Sequence, residues 1–255
     1  MSPAPDVVHL IVNADDFGWD DETTDATIAL LESGAATSAT IMTGRPATQR
    51  ALTFAKAAGT RFSFGLHFNI VDGQAPLSAP SPSLVDRSGR FRSSHRQRLA
   101  ALAGRLDPID IARECGAQLD VLAEAGVTVS HLDSHGHLHK FPLVAGAVRP
   151  ILAERGIRFI RRPQNFYFRR APLDFLDRYC TWRFPAIATT DYFVAGRPGD
   201  GAWVSRLPPG ITEIAVHPGW RDDWRRAETQ ALLDARAAIE GGATVMSYND
   251  LVAAR

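Results

Sequence analysis

Residues 7–34 read VVHLIVNADDFGWDDETTDATIALLESG, and the fold follows from how this stretch divides. Val7–Asn13 is short and rich in β-branched residues, which predicts a strand. Asp20–Ser33 carries apolar residues at helical spacing and meets Gly34, which predicts a helix and its end. The same alternation recurs along the chain. Thr37–Met42, Phe62–Ile70, Val127–Asp133, Ile157–Arg161, Asp191–Val194, Glu213–His217 and Ala243–Ser247 read as strands. Gln49–Ala58, Ile109–Ala125, Phe141–Arg155 and Ala227–Ile239 read as helices. Strand and helix in turn imply a parallel sheet with crossover helices, and around eight strands suffice to close a barrel. The expectation is an α/β fold, a distorted or incomplete (β/α) barrel, as a single domain over residues 1–255. Two irregular stretches interrupt it, Asp72–His95 and Pro163–Trp182. Loops of this length over an active-site face would shape substrate entry.

A chain of 255 residues can bury a substantial core. With 45% hydrophobic and 22% charged residues, its composition is ordinary for a globular protein. Lys+Arg and Asp+Glu both number 28, and no block of basic residues offers a surface for tracking phosphates, so no nucleic-acid partner is expected. Cys115 and Cys180 cannot build a disulfide framework, and no CxxC occurs; a reducing compartment follows. The start of the chain, MSPAPDVVHLIVNADD, lacks a basic region before its short apolar run. No stretch approaches the ~20 apolar residues of a membrane span. A soluble, cytoplasmic protein is expected.

In a parallel barrel the chemistry sits where strands end and loops begin. Asn13, Asp15 and Asp16 follow the first predicted strand, and His67 and Asn69 close the third. Asp133, His135, His137 and His139 close the fourth, Arg161 the fifth, and His217 precedes the last helix pair. Six of the eight histidines, counting His131, thus gather at three strand termini. In NADDFG, adjacent carboxylates on an extended chain point in different directions and can hold different tasks; the plainer reading is that Asp16 caps the next helix. In HLDSHGHLH (131–139), imidazoles suit Zn, Ni or Fe, and a carboxylate broadens the choice towards Mg or Mn. Gly136 implies a turn, so at most one or two of these histidines reach a common ion, and His131 reads as a core residue. His67 and His217 gain weight from their shared position. Pro218 biases His217 towards an extended conformation with its ring free to project. Neither GxSxG, nor a P-loop, nor a GxGxxG after a strand is present. Both cysteines read as packing residues. Trp182, Trp203, Trp220 and Trp224 could stack on sugars or simply pack.

NADDFG, TSATIM, GLHFNIVDG, HLDSHGHLHKFP, IRRP and EIAVHPG occur in that order. Together they resemble the YdjC/ChbG-type carbohydrate deacetylases, relatives of the NodB-type polysaccharide deacetylases that include chitooligosaccharide deacetylases and a hopanoid-associated branch. The resemblance covers roughly residues 8–220 and implies a metal-dependent hydrolase that removes an N-acetyl group from an amino sugar. By its motifs, Asp16, His67 and His135 match the ligands of one divalent ion, Mg or Zn. Asp15 matches the catalytic base, His217 the general acid, and Arg161 the arginine that steadies the base, with Arg162 beside it as a competitor. Gly136 stands where some relatives carry another histidine. A small N-acetylated sugar as partner and a homodimer are also implied. Asp72–His95 and residues 163–209 match nothing in the family pattern and are expected to set substrate choice. Two other classes stay open: a different metal-dependent amidohydrolase or phosphoesterase on the same barrel, and a catalytically silent carbohydrate-binding relative.

Overall fold

Strand β1 (Val8–Phe17) runs through the centre of the sheet. β7 (Gly210–Val216) pairs with it from Val8 to Ala14 along one edge. The other edge is shared: β8 (Thr244–Val245) takes His9 and Leu10, and β2 (Ser38–Ile41) takes over from Asn13. β3 (Ser63–Phe68), β4 (Val129–Ser134), β5 (Phe159–Ile160) and β6 (Tyr192–Ala195) complete an all-parallel sheet in the order β5-β4-β3-β2-β1-β7-β6. On its open side, Phe159 of β5 makes one isolated bridge to Ala188, ahead of β6, where the Ile160 N–H donates to the Ala188 carbonyl at 3.0 Å. The expected incomplete barrel is therefore what this computed structural model shows; it describes residues 7–78, 80–168, 174–196 and 201–254. Residues 169–173 of the Pro163–Trp182 stretch lie outside that description.

Period-two alternation sorts the side chains into two environments. Leu10, Val12 and Ala14 of β1 join the large core between sheet and helices, with Leu66, Leu132, Ile160, Ile214 and Val216 from neighbouring strands. The helices that cover this face include α1 (Asp21–Glu32), α2 (Thr48–Ala58), α4 (Pro108–Glu124), α5 (Pro142–Glu154) and α7 (Asp223–Gly242). The other parity faces the inside of the barrel and is mostly polar. Ser38 and Ser63 bond to each other at 2.9 Å, and Asn13 donates to Thr40 at 3.1 Å. His131 lies 3.1 Å from Asn13 and stacks on Tyr248, with ring centroids 3.7 Å apart. Gly65 makes room for that imidazole, since a Cβ there would come within 2.7 Å of it. Only a small apolar cluster of Ile11, Phe159, Ile211, Tyr248 and Leu251 plugs the bottom.

Four elements differ from the sequence reading. β1 runs on to Phe17 instead of ending at Asn13, because its two aspartates find partners inside the barrel. α3 (Ser94–Leu102) follows the first irregular stretch, and with only Gln97 and Ala101 buried it has no apolar stripe to betray it. α6 (Asp174–Trp182) falls inside the stretch read as irregular, and α8 (Tyr248–Ala254) is too short to show a period. Asp20, not Asp16, caps α1: its carboxylate accepts the Thr23 N–H at 2.8 Å.

Candidate metal centre

A slip in the β1–β2 register between Ala14 and Phe17, with Asp16 at φ 62°, turns two successive carboxylates to different neighbours. Asp15 points across the barrel to Arg161, which grips it with two bonds of 2.6 and 2.7 Å. Asp16 points up to two imidazoles: its Oδ1 lies 3.2 Å from His67 Nε2 and 2.9 Å from His135 Nδ1. Those two ring nitrogens are 3.3 Å apart. One carboxylate oxygen and two imidazole nitrogens thus converge on one point, as the sequence resemblance implied for these three residues.

Each partner has its own support. His67 faces Asp133 in the β3–β4 register, and its Nδ1 lies 2.7 Å from Asp133 Oδ1. The second Asp133 oxygen accepts from Thr40 at 3.0 Å and lies 2.6 Å from Arg161. Arg225 of α7 donates to Asp16 Oδ2 at 2.7 Å. Arg161 also donates through Nε to Glu213 at 2.8 Å, and Glu213 accepts from the Tyr248 hydroxyl at 2.7 Å. Arg161 is fully buried, whereas Arg162 points to the Thr190 carbonyl at 3.5 Å. His217 is held by Glu228 of α7, which accepts its backbone N–H at 2.8 Å and sits 2.9 Å from Nδ1. That leaves Nε2 facing the site, 3.8 Å from Asp15 Oδ2.

Five buried carboxylates (Asp15, Asp16, Asp133, Glu213, Glu228) face two buried guanidiniums (Arg161, Arg225), an excess of three negative charges when all are ionised. The electrostatics follow. Burial favours the neutral Asp15 carboxyl, but Arg161 outweighs it and holds the group far below the usual carboxylate range. Burial likewise opposes charge on Asp16, and His135 and His67 overcome it. Burial alone would strip the His67 proton, yet Asp133 and Asp16 push the imidazole up to about 10. His135 is raised in the same way, burial being outweighed by Asp16. His217 is raised too, with Glu228 and Asp15 overriding burial. Burial lifts Glu213 to about 7 despite Arg161. A cluster that draws protons onto its imidazoles to offset surplus negative charge is one that a divalent cation fits, and N,N,O donors are what such ions take.

The rest of the histidine tract turns away. Gly136 (φ 64°) and His137 (φ 56°) kink the chain, and a Cβ on Gly136 would meet Ser94 Oγ at 2.6 Å. His139 is tied to Ser134 at 2.8 Å. His131 is a core residue, and Cys115 and Cys180 are buried free thiols. Trp203 is buried; Trp224 is 43% exposed with its ring 5.5 Å from His217. Sequence reasoning did not reach Arg225, Glu213, Glu228 or Tyr248. A charge in the otherwise apolar strand segment EIAV was the one signal available for Glu213. The Asp72–His95 segment does more than border the cleft, since Asp72 Oδ2 comes within 3.6 Å of His135 Nε2.

Comparison with known proteins bears on the family and the fold. A carbohydrate deacetylase of Geobacillus stearothermophilus is 33% identical over 222 residues, covering 84% of this chain and 80% of the relative. One from Brevibacillus brevis is 35% identical over 224 residues, covering 85% and 83%. Among solved structures, an Enterococcus faecalis protein named for cellobiose-phosphate cleavage superposes with a TM-score of 0.76 at 21% identity, covering 96% of this chain and 99% of that one, which bears on the fold alone. Residues 9–239 match the model of the YdjC-like proteins, and the chain belongs to that family of carbohydrate deacetylases.

Proposed function

We propose that the protein hydrolyses the N-acetyl group of an amino sugar in an N-acetylglucosamine-containing oligosaccharide or glycoconjugate and releases acetate. In this reading one divalent ion, Mg or Zn, is held by Asp16, His67 and His135. Such an ion supplies an acidified water and a polarised acyl carbonyl. The observation that carries the proposal is the pair of proton-handling groups beside the ligand set. Asp15 Oδ1 is taken by Arg161 and Asn13, whereas Oδ2 has one bond, from Arg161, and faces His217. Oδ2 is the atom that accepts the proton of the attacking water. His217, with Nδ1 fixed on Glu228, keeps its proton on Nε2 and delivers it to the amine that leaves. Arg161 holds Asp15 in place and charged.

The rival with two ions is disfavoured. The second acidic group able to hold a cation, Asp15 with His67 and Asp133, already surrounds the Arg161 guanidinium. Free buried thiols support a cytoplasmic setting, and among the described residues no helix is long and apolar enough to cross a membrane. A homodimer of the whole 1–255 unit completes the proposal. The test is acetate release from N-acetylated chitooligosaccharides and N-acetylglucosamine glycoconjugates by metal-stripped protein, before and after reloading with Mg or Zn. Release only after reloading is expected. A fully loaded protein that frees no acetate would leave the silent carbohydrate-binding relative as the better reading.

A further inference from the structure

We infer that Asp72 positions His135 as a metal ligand, acting through the imidazole and not on the ion; the inference rests on the ligand set proposed above. Each donor in that set has a polar partner on its far side. Asp16 Oδ2 is held by Arg225 at 2.7 Å, and His67 Nδ1 by Asp133 at 2.7 Å. For His135 the corresponding atom is Nε2, and what faces it is Asp72 Oδ2 at 3.6 Å. Nε2 lies across the ring from Nδ1, so Asp72 cannot share the ion. Coordination through Nδ1 leaves the ring hydrogen on Nε2, which then donates towards Asp72; Nδ1–H of His67 does the same towards Asp133, in the mirror tautomer.

The backbone is built to deliver this carboxylate. Asp72 sits at φ 57°, in the left-handed region that a non-glycine residue occupies only when its surroundings enforce it. The three non-glycine residues described in that region, Asp16, Asp72 and His137, all belong to this site or its rim. The Asp72 N–H donates to the Arg92 carbonyl at 2.9 Å, and that of Gly73 to Phe91 at 3.1 Å. Asp72 Oδ1 accepts the Ser94 N–H at the start of α3, at 2.8 Å, which aims Oδ2 at His135. The ring is steadied on one face by Trp19, 5.2 Å away between centroids, and Trp19 is itself covered by Arg45 at 3.6 Å. Asp72, the last residue but one of the GLHFNIVDG stretch, thereby takes part in setting metal affinity.

The experiment titrates metal-stripped protein with Zn, and separately with Co, by calorimetry and visible absorption. Asp72→Asn is the decisive variant, because Asn tolerates the left-handed backbone and still accepts from Ser94, while losing the charge. Asp72→Ala removes both functions, and Asp86→Asn on the same segment is the control. Metal-free melting curves establish that each variant is folded. Asp72→Asn is expected to bind about 10–100-fold more weakly, the usual scale for such outer partners, with a changed Co spectrum; Asp86→Asn should match the wild type. Binding by Asp72→Asn within twofold of wild type, with an unchanged spectrum, overturns the role of Asp72 alone. A wild-type protein that takes up neither ion overturns the ligand set, and this inference with it.

Discussion

Asp15 and Asp16 are neighbours in sequence and opposites in environment. One is clamped by a guanidinium, and the other is shared between two imidazoles and Arg225. If the division of labour is as proposed, Asp15→Asn and His217→Ala keep their metal and lose about 10²–10⁴-fold in kcat. Acetate-release kinetics set beside metal content check this, and a His217→Ala protein working at the wild-type rate would remove that histidine from the mechanism. The raised imidazoles make a second prediction. His67 has its ordinary value at 6.5 and about 10 in the fold. Its proton therefore stabilises the metal-free protein fully below pH 6.5, and that contribution is lost as pH rises through 10. An incoming ion must displace protons from His67 and His135, so metal affinity should climb across the same window. Calorimetry in buffers of different ionisation enthalpy should register at least one proton released per ion near neutral pH; zero release would contradict the imidazole ligands.

Among the elements, α8 contributes most beyond what its seven residues suggest. Through Tyr248 it stacks on His131 and donates to Glu213, which supports Arg161 and hence Asp15. Tyr248→Phe keeps the packing and leaves the Glu213 carboxylate short of a buried donor. A loss of about 1–3 kcal/mol is expected in urea unfolding, and an unchanged midpoint would mean that water or a proton takes the hydroxyl's place. This helix was invisible in the sequence, because about two turns of chain are too few to show a period. The long βα units were legible, since apolar alternation and helix-stopping glycines mark them directly. The polar residues at the strand ends were legible as a group for a similar reason, since polar groups at the ends of buried strands have few structural excuses; the family resemblance singled out six of them. Their supports were not. Arg225 and Glu228 come from α7, and nothing in the sequence says which of its turns faces the barrel mouth. Asp72 lies in a loop whose course depends on α3.

At the scale of the molecule, the barrel inverts the usual arrangement: its apolar core lies outside the ring of strands, and its interior carries the charge. The gap between β5 and β6 is spanned by one isolated parallel bridge, Phe159 to Ala188, just before Arg161. Local opening follows the thinnest hydrogen bonding. The Ile160 amide, bonded only across that seam at 3.0 Å, should exchange its hydrogen well before the amides of β1, which is laddered on both edges. Exchange read residue by residue tests this; equal protection at Ile160 and Ile11 would show that the closure is as firm as the centre. A seam that parts briefly would wet the polar interior from the side, reaching Arg161 and the carboxylates around it without passing the mouth above the proposed ligand set. Solvent protons would then have a service entrance of their own, and the buried charges could be replenished while the front of the site was still occupied.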